Sequence, residues 1–337
     1  MTPASTIAVL GAGSWGTALS VHLARIGHQV TLWARDEALV EDMRGVRANP
    51  RYLPDFELPD AVTPTSDIAA AVGRASLVVM AVPSHGLRAV MQQAVGALRP
   101  DAILISTAKG LESGTLARMS QVLAEVTADT LPIVVLSGPS FAEEVARGLP
   151  TAVLAASADR EAAEVVQESF RGPTFRLYAS DDVTGVEIGG ALKNVIAIAA
   201  GVVEGTGFGH NAMAALITRG LAEISRLAEA EGGRRETLAG LSGLGDLVLT
   251  CTGDLSRNRR VGIELGRGRS LESVLAGMRM VAEGVRTTGA ALALGARHGI
   301  ELPIAAQMAA VLDGRRTPQA ALEALMLRPQ RQESEAR

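Results

Sequence analysis

Two lysines and an arginine are the residues here best suited to act on a small anion. Lys193 lies in Gly189-Gly190-Ala191-Leu192-Lys193-Asn194-Val195-Ile196, an otherwise uncharged run with helical spacing. On a 3.6-residue period Gly189, Gly190, Ala197 and Ala200 share its face. That bare face predicts close approach by a flat ring or small substrate. Desolvation there would lower the ammonium pKa and suit a proton donor and acceptor near neutrality. The competing reading is a packed stem with its head in water. Lys109 follows the apolar run Ile103 to Thr107, the zone in which open α/β sheets bind ligands; a solvated loop lysine is the alternative. Arg257, between Ser256 and Asn258, offers a planar fork for a phosphate with polar donors on both sides. The same residues also suit an ordinary capped helix start. Asp246 can orient and charge-pair Lys193. The segments Leu241 to Leu247 and Thr250 to Asn258 are expected as loops between helices.

Ser137-Gly138-Pro139-Ser140-Phe141-Ala142 follows another apolar run. Its amides and the Ser140 hydroxyl would line the same cleft, unless it is a plain Gly-Pro turn. Cys251 has no activating partner in sequence and reads as a small buried hydrophobe. His85 and His210 sit in loop-like stretches that could approach the cleft, although a surface role suits each better. No His/Cys/Asp/Glu cluster has metal-ligand spacing, so no metal is expected.

The elements that must position these residues begin with Ile7 to Leu10, a short strand. Gly11-Ala12-Gly13-Ser14-Trp15-Gly16 follows, then a helix from Thr17 to Ile26 and a second strand from Gln29 to Ala34. This is a βαβ unit of about 30 residues, and the glycines match G-x-G-x-x-G. Gly11 permits the tight turn, Gly13 lets a pyrophosphate near the backbone, and Gly16 lets the helix pack on the strand. Amides at the helix start then face the phosphates. The second strand ends at Arg35-Asp36. Arg35 suits a 2′-phosphate and favours NADP(H), while Asp36 keeps NAD(H) open.

Further strands are expected at 76–82, 103–107, 133–137, 151–156 and 174–178, separated by helical spacers. Alternation of this kind predicts an α/β fold: a Rossmann-type, mainly parallel sheet domain covered on both faces. After about residue 182 only helical periodicity remains. The expected organisation is a dinucleotide-binding domain over 1–182, an all-helical substrate and catalytic domain over 183–328, and a polar tail over 329–337.

Composition excludes several classes. With 32 basic against 36 acidic residues and a net charge of −4, a general nucleic-acid binder is not expected. One cysteine among 337 residues forbids an internal disulfide and fits a reducing compartment. No uncharged run of about 18 apolar residues argues for a membrane span. No signal peptide precedes the first strand, so a cytoplasmic location is expected.

Taken together these segments resemble bacterial NAD(P)-dependent glycerol-3-phosphate dehydrogenase along nearly the whole chain. The resemblance is carried by Gly11 to Leu19, Tyr52-Leu53-Pro54, Lys109-Gly110, Gly138 to Ala142, Gly189 to Val195, Ala215 to Gly220 and Ser256-Arg257-Asn258. The lysine-bearing run and the Ser-Arg-Asn run are the specific ones. The chain departs from the family pattern at Asp55, where glycine is usual, and at His210, where aspartate is usual. The resemblance implies interconversion of dihydroxyacetone phosphate and glycerol 3-phosphate, with Lys193 as proton acceptor in the oxidation direction. It implies substrate contacts from Lys109, Gly138, Ser140, Asp246, Ser256, Arg257 and Asn258. Dinucleotide contacts would come from Ser14, Trp15, Arg35, Tyr52, Lys109, Ala142, Arg257, Val281 and Glu283. It further implies a homodimer that supplies glycerol 3-phosphate for phospholipid synthesis. A ketopantoate reductase or a 3-hydroxyacid dehydrogenase of similar layout is the alternative enzyme. A nucleotide-sensing regulator without chemistry is the alternative outside enzymes.

Overall fold

The structure is a computed structural model, and it describes residues 5–278, 282–330 and 332. The chain opens with β1 (Thr6–Leu10), α1 (Ser14–Arg25), β2 (Gln29–Trp33) and α2 (Glu37–Val46). A small hairpin, β3 (Ala48–Asn49) and β4 (Leu53–Glu57), leads into β5 (Val62–Thr65), α3 (Ile68–Val72) and β6 (Leu77–Met80). Next come α4 (Leu87–Ala94), β7 (Ile103–Ser106), α5 (Met119–Val126) and β8 (Ile133–Ser137). The last strands are β9 (Thr151–Ala156) after α6 (Ala142–Arg147), and β10 (Phe175–Ser180) after α7 (Arg160–Phe170).

Eight of these strands form one sheet in the order β10-β9-β8-β7-β6-β1-β2-β5. Every pair is parallel except β8 with β9. Strand alternation serves both faces. Ile7 and Val9 join the core beneath α1 and α7, which includes Leu19 and Phe170, while Ala8 and Leu10 join the opposite core beneath α4 and α5. Burial on both faces explains the near-continuous apolar runs of these strands. β5 lacked such a run because it is an edge strand interrupted by Pro64, a residue an edge tolerates. β8 and β9 pair in reverse because the chain returns directly through the short α6, without a crossover to the far edge.

From residue 183 on, the described elements are helical: α8 (Val183–Thr206), α9 (Gly209–Ala230), α10 (Arg235–Leu238), α11 (Asp246–Thr252), α12 (Arg257–Gly266), α13 (Leu271–Ala276), α14 (Glu283–Arg297), α15 (Pro303–Leu312) and α16 (Pro318–Met326). α8 is long and apolar enough to cross a membrane, but its most apolar window is wholly buried inside the protein. It is the core helix of this half. Asp182 caps its start, accepting from the Gly185 amide at 2.8 Å.

Two features aim the site. A Cβ on Gly201 would lie 1.9 Å from the Arg259 carbonyl oxygen, and one on Gly262 would lie 1.9 Å from that of Ile198. α8 and α12 therefore cross in backbone contact, which fixes Lys193 against Arg257 and Asn258. The second feature is the parallel sheet itself. It brings Gly11, Arg35, Lys109 and Gly138 to the carboxyl edge, facing α8.

The segment 241–258 is a correction. Leu241 to Leu247 was expected as a loop, but it forms a π-turn (Leu241–Gly245) and the start of α11; of the second expected loop, Thr250 to Asn258, only residues 253–256 are one, between the end of α11 and the start of α12. Its glycines and hydroxyl residues broke the apolar periodicity that marks a helix. Tertiary packing against α8 overrides their low propensity.

Candidate active site

The glycine turn leaves β1 with Gly11 at φ +116°, where a Cβ would sit 2.6 Å from the Ala81 carbonyl oxygen. A Cβ on Gly16 would be 1.9 Å from the Gly11 carbonyl oxygen. Both glycines serve the fold, and Gly16 lies under the cleft rather than in its lining. Gly13 differs: nothing stands within 4 Å of the place its Cβ would take. It is also the N-cap of α1, and no side chain caps that helix. The helix start therefore faces the cleft without a side-chain cap, and the absent Cβ leaves a ligand room beside it. An open backbone cradle of this kind fits a dinucleotide pyrophosphate.

A cleft of about 770 Å³ runs from this cradle to the helical half. Ser14, Trp15, Arg35 and Tyr52 line one end, beside Trp33 and Arg51. Ala142 and Ser140 line the middle. Lys109, Lys193, Ser256, Arg257, Asn258 and Glu283 line the other end. Val281 lies outside the described residues. His85, in the turn after β6, is exposed and also lines the cleft. His210 is exposed at the start of α9 and is absent from the lining.

Beneath the helical end sits a buried charge cluster. Lys193 Nζ donates to Asp246 Oδ1 at 2.5 Å and to Thr250 Oγ1 at 2.7 Å. Lys109 Nζ donates to Asp246 Oδ2 at 2.6 Å and to the Gly138 carbonyl at 3.0 Å. Asp246 is 1% exposed and Lys193 is 6% exposed. Two cations share one anion, so the cluster keeps a net positive charge toward the cleft. Burial pushes the Lys193 ammonium down to about 8; Asp246 opposes that shift and Lys109 adds to it. Geometry completes the picture. As an amine, Lys193 has two N–H bonds, both directed at Asp246 and Thr250, which leaves its lone pair for a ligand. As an ammonium it has a third proton to give.

The bare face of α8 is a second correction. A Cβ on Gly189 would meet the Ser242 carbonyl oxygen at 2.9 Å, and one on Gly190 would meet Ser137 Oγ at 2.9 Å. Those glycines admit protein, not ligand. Of α8, only Lys193 and Asn194 line the cleft. Asp246 and Gly138 are likewise behind the lining: the carboxylate holds both lysines, and the Gly138 carbonyl holds Lys109 and accepts from Ser140 Oγ at 3.0 Å.

Arg257 projects into the cleft, open to solvent yet walled closely enough that desolvation lowers its pKa, with Glu283 opposing. Ser256 Oγ accepts from the Arg259 amide at 3.2 Å, so it caps α12 and keeps only its proton for the cleft. Asn258 Oδ1 accepts from the Gly284 amide at 3.0 Å, and its Nδ2 donates to Asn194 Oδ1 at 2.9 Å. One amide hydrogen remains for a ligand. Glu283 accepts from Ser84 Oγ at 2.8 Å and from the Ser84 amide at 3.3 Å, tying α14 to the sheet half. Cys251 is fully buried, and burial pushes its thiol up to about 12, so it is inert. Among the described residues no group of three His, Cys, Asp or Glu side chains could hold a metal.

Thr250 and Asn194 were missed as site residues. Thr250 lies one turn after Asp246, a spacing that signals shared orientation only once the segment is known to be helical. Asn194 adjoins Lys193, and its role depends on Asn258, 64 positions away.

An uncapped glycine cradle facing a buried, pKa-lowered lysine across one cleft belongs to the nicotinamide-dinucleotide dehydrogenases, built here on a Rossmann-type sheet with a helical second half. Comparison with known proteins narrows this. The family described as NAD-dependent glycerol-3-phosphate dehydrogenase matches with its N-terminal part at residues 6–163 and its C-terminal part at 182–323. The chain is 53% identical to glycerol-3-phosphate dehydrogenase (NAD(P)+) of Acidobacterium capsulatum, over 98% of this chain and all of the relative. It is 53% identical to that of Moorella thermoacetica, over 98% of each chain. The crystal structure of glycerol-3-phosphate dehydrogenase from Coxiella burnetii superposes with a TM-score of 0.93 at 40% identity, covering 96% of this chain and 99% of that one. A ketopantoate reductase from Ralstonia eutropha shares the fold alone, with a TM-score of 0.60 at 19% identity. The chain belongs to the NAD-dependent glycerol-3-phosphate dehydrogenase family, whose activity is NAD(P)-dependent oxidoreduction.

Proposed function

We propose that this chain interconverts dihydroxyacetone phosphate and sn-glycerol 3-phosphate by hydride transfer. The observation that carries the reading is the Lys109–Asp246–Lys193 cluster beside Arg257: a proton carrier and an anion site at one end of a dinucleotide-sized cleft. Gly11, Gly13 and Gly16 with Ser14 and Trp15 form the pyrophosphate cradle. Arg35 and Tyr52 lie toward the adenosine end, and Ala142 and Glu283 complete the dinucleotide contacts. A dinucleotide held by these residues would supply or take the hydride at C2.

Arg257 and Asn258, with Ser256 beside them, hold the substrate phosphate and so fix where the carbonyl lies. Lys193, as ammonium, gives its proton to the carbonyl oxygen as negative charge develops there; in the reverse direction its amine takes the hydroxyl proton. Asp246 and Thr250 keep that nitrogen pointed at the oxygen. Lys109, with Gly138 and Ser140 behind it, adds positive charge where the oxyanion forms. The boundary near residue 182 divides a dinucleotide domain from a substrate domain. The proposed setting is a homodimer in the cytoplasm that supplies glycerol 3-phosphate for phospholipid synthesis.

The test follows NADPH absorbance after mixing the full chain with dihydroxyacetone phosphate, against ketopantoate as comparison. Oxidation is expected with dihydroxyacetone phosphate only. Oxidation with ketopantoate alone would overturn the substrate assignment.

A further inference from the structure

The adenosine end of the cleft holds a charge pair that the reaction does not use. Asp36 caps α2, with Oδ1 accepting from the Leu39 amide at 3.2 Å. Its Oδ2 accepts from Arg51 Nη1 at 2.6 Å. The two side chains are 42% and 41% exposed, and both line the cleft beside Arg35. Arg51 is not a loose surface arginine. The fully buried Asn49 donates to the Ala12 carbonyl at 2.9 Å and to Thr17 Oγ1 at 2.8 Å. Its Oδ1 accepts from the amides of Arg51 at 3.3 Å and Tyr52 at 3.1 Å. Ser14 Oγ donates to the Tyr52 carbonyl at 2.8 Å. The turn carrying Arg51 is thereby fastened to the glycine cradle, at a fixed distance from any pyrophosphate bound there.

We propose that Arg51 sets the choice between the two dinucleotides by exchanging the Asp36 carboxylate for a 2′-phosphate. The proposal rests on reading the cleft as a dinucleotide site. An acid just after β2 ordinarily accepts from the ribose hydroxyls and repels a 2′-phosphate. Here Arg51 cancels that charge and occupies one carboxylate oxygen, while α2 occupies the other. An ion pair this exposed is weakly held in water. A phosphate, with more charge and three acceptor oxygens, outcompetes a carboxylate for the planar guanidinium. Arg35, exposed on the same rim, is the second cation. Removing Arg51 therefore acts twice: the phosphate loses a partner, and Asp36 regains its repulsion and its ribose acceptors.

The experiment uses the full chain as wild type, R51Q and D36N. Calorimetric titration with adenosine 2′,5′-bisphosphate and with adenosine 5′-monophosphate is paired with kcat/KM for NADPH and NADH at fixed ionic strength. R51Q should weaken the bisphosphate about tenfold, as expected for loss of one charge-assisted contact, while the monophosphate holds or tightens. D36N, which retains the cap, should tighten the bisphosphate. Equal weakening of both probes by R51Q would mean that Arg51 only supports the turn, and no change in either would remove it from the site; each outcome overturns the proposal. Wild type binding neither probe overturns it together with the dinucleotide reading. If the binding pattern holds but dihydroxyacetone phosphate is not turned over, the substrate assignment falls and the proposal stands.

Discussion

At the glycine-turn end of the cleft, the groups facing a ligand are backbone amides and two exposed arginines. At the lysine end they are side chains clustered around a carboxylate that is 1% exposed. The first end gains specificity from an absence, the missing Cβ of Gly13, and its charges sit in water where each is worth little. The second end keeps charge in a desolvated place, where every group depends on its neighbour. An amide cradle needs no protonation state to work. The lysine cluster, by contrast, depends on its protonation state, which burial shifts at Lys193.

The largest effect should come from cutting the lysine end at its centre. Lys193→Ala should lower turnover by ~10²–10⁴, the usual worth of general acid–base help, while dinucleotide affinity, read by fluorescence titration, stays near wild type. Near-normal turnover would remove Lys193 from the chemistry.

Asp246→Asn tests whether the cluster is mutually dependent. It leaves two ammonium groups facing each other without an anion, and breaking a buried pair costs about 3–5 kcal/mol. Thermal unfolding should shift down, and the loss should shrink when Lys109→Met is added. Independent, additive effects would mean that the lysines do not share the carboxylate as an energetic unit.

The opposite behaviour is expected at the cradle. Gly13→Ala meets no protein atom within 4 Å, so the melting temperature should hold. The added methyl should cost the bound dinucleotide about 1–3 kcal/mol through overpacking. A lower melting temperature with unchanged NADPH affinity would contradict the reading of Gly13 as room for a ligand.

The smallest effect is a pH profile that separates the ends. With Lys193 at about 8, alcohol oxidation needs the amine and should rise as pH climbs through that value. Carbonyl reduction needs the ammonium and should fall over the same window. Dinucleotide binding should show no matching inflection, because the cradle is built of amides. The same depression makes folding more favourable as pH rises from about 8 toward 10.5, since the unfolded chain then holds the extra proton.

Much of the cradle could be read from the chain, because it is local. Gly11, Gly13 and Gly16 lie within six residues, and a strand and a helix flank them. The lysine end was legible only in its parts. Lys193 stood out as the single charge in an apolar run, and Asp246 was a reasonable partner. Lys109 reaches the same carboxylate from 137 positions away, and no local pattern predicts that. Gly189 and Gly190 were misread because a small residue looks the same whether a ligand or another segment of protein fills the space beside it.

By itself, then, the sequence determined the alternating strands and helices, the glycine turn and the isolated lysine, all features set by φ/ψ preference and hydrophobic period within a few residues. Only the tertiary structure decided that residues 241–252 are helical, that β9 runs against β8, and that Asp246 anchors two lysines at once. Those outcomes depend on which surfaces meet, and burial there changes both propensity and pKa.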